Sequence, residues 1–120
     1  MNEIQLKQRT KQFALRIIKL VGALPKTTEG RAIGNQLIRS GTSVGANYRA
    51  ACRGRSKAEF TAKLGVVEEE ADESAFWIEL ISESGLLTKK RIEPLLAEAN
   101  ELVAIMVASR KSASRFESKI

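Results

Sequence analysis

Histidine is missing from all 120 residues, and cysteine occurs once, as Cys52. Without histidine there is no Ser-His-Asp triad, no histidine phosphotransfer and no imidazole ligand for zinc. With a single thiol there is no internal disulfide, and a reducing cytosol is the simplest home for the chain. Proline appears only at positions 25 and 94, and aromatics make up 5%. No apolar run approaches the roughly 20 residues that a membrane span requires. The opening MNEIQLKQRTKQ has no apolar core of the kind a signal peptide carries. What is plentiful is Ala, Leu, Glu and Lys, with 43% hydrophobic residues overall, a composition that favours a globular all-helical domain.

The chain reads as one domain, residues 1–120, of four helices. A first helix is expected over about 3–23, where Leu6, Phe13, Ile17, Leu20, Val21 and Leu24 recur at helical spacing and Leu24-Pro25 ends the run. Thr27 or Thr28 can cap a second, about 29–53, with Gly54 as its stop. Ser56 and Glu59 have capping-box spacing and open a third, about 57–84, closed by Gly85. Thr88 can cap a fourth, about 89–109, whose start lies nearer Glu93 or whose first turn is kinked, because Pro94 falls inside it. The segment after Ser109 loses the apolar pattern and is expected to fray. Short connections make this an all-α, antiparallel up-and-down four-helix bundle.

Charge is distributed unevenly along these helices. The net charge is +6, yet residues 56–87 carry two basic and eight acidic side chains, while the segments on either side are basic. The stretch IRSGTSVGANYRAACRGRS, residues 38–56, combines glycines and arginines in one helix. At about 100° per residue it resolves into three strips. Ile33, Leu37, Ser40, Val44, Asn47 and Ala51 face the core; Gly34, Ile38, Gly41, Gly45, Tyr48 and Cys52 form an edge; Arg31, Arg39, Arg49 and Arg53 lie beyond. Each helical glycine costs about 1 kcal/mol relative to alanine, so Gly41 and Gly45 imply close approach by another helix. That helix belongs either to the same chain or to a second subunit. Ser40 and Asn47 need hydrogen-bond partners that would fix helix register. The stretch lacks the G-x-x-x-x-G-K-[ST] pattern of a phosphate loop and has no strand before it.

The third helix holds Glu68, Glu69, Glu70, Asp72 and Glu73 in one block. Glu69 and Glu73 share a face, but a ferritin-like di-metal centre also requires Glu-x-x-His, so a solvated face or a set of partners for arginines is expected. Neither a nucleophile–base pair nor a ligand set for a cofactor is present in the sequence. Arg49, Arg53, Arg55 and Lys57 cluster at the end of the second helix and suit backbone-level binding of RNA or DNA. Their alternative is pairing with the acidic helix, within the chain or across an interface.

These elements resemble a known family. A helix ending in LP, then QLIRSGTSVGANYRAACRGRSKAEF, then an acidic helix ending near GLL, is similar to small bacterial proteins encoded by intervening sequences in large-subunit ribosomal RNA genes. The accessory variability determinants of diversity-generating retroelements are related to them. The resemblance covers about residues 12–105 and rests on Gln36, Leu37, Arg39, Ser43, Val44, Asn47, Arg53, Ser56, Glu59 and Phe60. Where such proteins commonly have I-A-E-G after the asparagine, this chain has YRAACRG. The resemblance implies a homopentameric ring without enzymatic activity or cofactor. It also implies partners such as nucleic acid or a reverse transcriptase. The expectation is therefore an oligomeric nucleic-acid-binding bundle, or else an interaction scaffold whose Arg39, Gly41, Gly45, Asn47, Glu69 and Glu73 serve structure and interfaces.

Overall fold

The computed structural model describes the backbone of residues 1–118 and the side chains of residues 1–113. Within them are four helices and no strand: α1 Glu3–Gly22, α2 Thr28–Cys52, α3 Lys57–Glu83 and α4 Lys89–Ser118. Three of the helix starts are capped by side chains. Asn2 accepts from the Gln5 amide while Gln5 accepts from the Asn2 amide, so two orphan donors of α1 are met at once. Thr27 caps α2 through the Gly30 amide. Ser56 caps α3 through the Glu59 amide, and the Glu59 carboxylate turns back to the amide of Arg55. Gly85, at φ +76°, closes α3: the Leu86 and Gly85 amides fold back onto the Ile81 and Ser82 carbonyls.

The last helix starts where the spacing placed it and differs at its far end. It begins at Lys89, so of the two options Pro94 sits inside it and the Lys90 carbonyl loses its usual donor. It also continues to Ser118 instead of ending at 109. Arg110, just past the expected end, bonds Glu68 of α3 through both Nε and Nη2. That anchor holds the helix where its apolar stripe fades.

The bundle measures 53 × 21 × 20 Å. Each helix packs on its neighbours in chain order, α1 and α4 close the ring with the thinnest seam, and among the described residues the backbones of the diagonal pairs stay apart. Phe13, Ile17, Leu37, Val44, Leu64, Val67, Ile78, Ile81, Ile92, Leu102 and Met106 fill the centre. Along α2 the buried face is rotated from the expected strip toward the glycine edge. Tyr48 is buried, whereas Ile33 and Asn47 are only half-buried. The cause is α1, which lies against that edge: a Cβ on Gly34, Gly41 or Gly45 would meet Val21, Ile17 or Thr10. Of the two readings of the glycines, close packing within the chain is the one observed.

Candidate nucleic-acid interface

Because the glycines bring α1 and α2 together, the side chains flanking that seam converge. Lys7 and Lys11 from α1, with Arg49 and Arg53 from α2, line a groove of about 420 Å³ floored by Ala14, Thr42, Gly45 and Ala46. Each helix contributes its cations at i, i+4 spacing, one turn apart on one face. Carboxylates are absent from the lining, although Lys7 also reaches Glu3 at 3.1 Å. Lys7, and secondarily the Cys52 thiol, holds the exposed Glu3 carboxyl below its ordinary range.

Arg55 and Lys57 do not share this groove. They line a second one, about 440 Å³, at the same end of the bundle, with Glu3, Tyr48, Cys52, Ser56 and Phe60. The four residues singled out in the sequence are thus divided between two adjoining concavities. Lys7 and Lys11, which complete the first, belong to a helix that sequence reasoning left out of the site. Their signal was present as basic residues four apart on α1, but which helix they faced depended on the packing.

Burial pushes the Tyr48 phenol up, and it also pushes up the Cys52 thiol, which stays protonated and a poor nucleophile.

Arg39 lies apart from Arg49 and Arg53. Its guanidinium bonds Glu70 at 3.1 Å and also Glu73, both on α3. Trp77 Nε1 donates to Glu73 at 3.0 Å and, with Arg39, holds that carboxyl below its ordinary value. Glu69 faces outward and is exposed. Asn47 donates to the Ser43 carbonyl of its own helix at 2.9 Å, so it does not set register between helices. Ser40 does: the Ser74 hydroxyl of α3 donates to it at 3.0 Å in the core. Two further arginine clamps join helices. Arg9 on α1 reaches Glu98 and Glu101 on α4, and Arg110 on α4 reaches Glu68 on α3.

Among the described residues no group of histidine, cysteine or carboxylate side chains is arranged to hold a metal ion, and no helix is long and apolar enough to cross a membrane. A four-helix bundle with cationic grooves at one end defines a class, and comparison with known proteins narrows it. The chain belongs to the 23S rRNA-intervening sequence protein family, which matches residues 2–108. A solved structure from Bacteroides thetaiotaomicron, described as a protein of unknown function from the S23 ribosomal protein family, is 31% identical. It matches with a TM-score of 0.85 over 92% of this chain and 99% of its own. No curated protein sequence matches the chain. Neither description names an enzymatic activity.

Proposed function

We propose that the protein is a non-enzymatic, cytoplasmic, homo-oligomeric bundle that binds the phosphate backbone of RNA or DNA through its basic surface. The observation that carries this reading is the α1–α2 groove, lined by Lys7, Lys11, Arg49 and Arg53 without a carboxylate. Arginine forks match phosphate oxygens, and cation–phosphate contacts tolerate any sequence. Tyr48 is buried and Phe60 half-buried, so neither of these two rings offers an open platform for stacked bases. The test is affinity for a labelled RNA and a labelled DNA oligonucleotide across a KCl series. Arg49→Ala with Arg53→Ala is expected to weaken both and to flatten the salt dependence by about 0.7–0.9 per lost phosphate contact. Unchanged affinity and slope in that variant would sink the reading.

A protein-interaction role is the second reading, favoured by Phe76. This ring is half-exposed on α3 between the exposed Asp72 and Glu79. Outward on α1 and α2, Glu29 is the only acidic residue between Glu3 and Glu59, and the half-exposed Leu15 and Ile18 lie on α1. A cation-free ridge and a nearly acid-free face on one chain suit head-to-tail assembly, with a pentamer as the expected closed ring. Light scattering checks this: Phe76→Asp is expected to shift the assembly toward monomer. Arg39→Ala is not expected to do so, because Arg39 is engaged within the chain.

A further inference from the structure

The α1–α4 seam holds charges in a register that changes sign along its length. Arg9 on α1 faces Glu98 on α4, bonded through Nε at 2.8 Å and Nη2 at 2.6 Å. Seven residues further along α1 is Arg16, and seven residues back along α4 is Arg91. In an antiparallel pair these steps lead to the same next level, about 10 Å along the seam. There arginine meets arginine. Arg16, Lys19 and Arg91 line one groove of about 260 Å³ over Leu20 and Leu95. The three cations are exposed, and Leu20 and Leu95 are buried beneath them. Among the described residues no carboxylate forms an ion pair with any of the three.

Like charges gathered over an apolar floor repel, and the floor lowers the local dielectric that would otherwise screen them. An anion between them removes that cost. Two guanidinium forks and an ammonium present donors from three directions, which suits a tetrahedral phosphate better than a single planar carboxylate. The site also lies on the helix that supplies Lys7 and Lys11 to the first groove. The midpoints of the two cation pairs on α1 are separated by about 13 Å along its axis, a span that one polynucleotide chain can bridge.

We propose that Arg16, Lys19 and Arg91 form a second phosphate-binding site, which takes a backbone phosphate of the same nucleic acid that occupies the α1–α2 groove. The proposal rests on the nucleic-acid reading above for its ligand, and on the seam's register for the site itself. Arg91→Glu recreates at this level the Arg9–Glu98 arrangement found two turns away, so it removes the site while relieving the repulsion. The variant is expected to melt at or above the wild-type temperature. It is also expected to bind a labelled 20-nucleotide RNA about tenfold more weakly, with a salt slope shallower by about 0.7 per lost phosphate. Arg16→Gln is expected to weaken binding without adding a negative charge.

A second arm separates the site from the nucleic-acid reading. In an Arg49→Ala, Arg53→Ala background, inorganic tripolyphosphate at constant ionic strength is expected to raise the melting temperature. Adding Arg91→Glu is expected to abolish that rise. A wild-type protein that ignores RNA but keeps the tripolyphosphate effect overturns the nucleic-acid reading and leaves an anion site. Loss of melting temperature in Arg91→Glu, unaltered RNA affinity in both seam variants, or no tripolyphosphate effect in the groove-less background overturns the second site.

Discussion

A Cβ built on Gly41 would lie 2.7 Å from Cγ1 and 2.8 Å from Cγ2 of Ile17, while one on Gly45 would find the Thr10 backbone at 3.4 Å. The two glycines share a helix edge, yet their substitutions should part company. Ile17 is fully buried and β-branched, so it has no rotamer to retreat into. Gly41→Ala gains about 1 kcal/mol in helix propensity but forces overlap in a packed seam. A net loss of about 1–2 kcal/mol is expected, read as a lower denaturation midpoint. Gly45→Ala meets only ordinary contact, keeps most of the same propensity gain and should stabilise the fold by about 0.5–1 kcal/mol. A single residue also sets part of the acid response. Glu73 has its folded-state pKa lowered by Trp77 and Arg39, so its contribution is complete above the unfolded value, about 4.3, and is lost as pH falls through the folded value. Melting temperatures measured from pH 7 to 3 should therefore fall more steeply below about pH 4 in the parent than in Glu73→Gln.

At the level of helices, the seams are closed by different chemistry. Arginine clamps join α1 to α4, α2 to α3 and α3 to α4, whereas α1 and α2 meet through glycines, with Ile17 and Thr10 opposite. A double-mutant cycle on Arg9→Ala and Glu98→Gln should give a coupling energy on the order of 1 kcal/mol, because both side chains are largely covered and the pair is bidentate. The same cycle on Arg39 and Glu70 should give less, since Arg39 is half-exposed. These seams also separate what the sequence disclosed from what it withheld. Local signals were readable: Ser56 with Glu59, Gly85, and Leu24-Pro25 each act within one turn of backbone. The arginine face was readable as a face, but its destinations were not. Arg39 turns to α3 while Arg49 and Arg53 turn to α1, a difference set by which helix lies on each side. Ser74, the partner of Ser40, carried no signal of its own, because one serine in an apolar run looks like any other until the facing helix is known. The continuation of α4 past Ser109 was hidden for a similar reason. Its anchor, Arg110 to Glu68, joins residues 42 apart in the chain.

Across the whole molecule, charge follows the long axis of the bundle. Lys11, Arg49, Arg53, Arg55 and Lys57 line grooves at one end, and Arg16, Lys19 and Arg91 occupy a groove on the α1–α4 seam. Combining Arg49→Ala, Arg53→Ala and Arg91→Glu should remove more of the salt dependence of RNA binding than either set alone, and close to the sum of the two if the grooves act independently. The thin α1–α4 seam has a consequence for motion. The least costly partial opening lifts α1 from the other three helices, since α3 is embraced by both neighbours and α1 chiefly by one. Amide hydrogens of α1 should then exchange with solvent faster than those of α3. Both cationic grooves borrow one wall from α1, so this same opening dismantles them together. A bound polyanion would therefore act as a strap, slowing exchange in α1 more than anywhere else in the bundle.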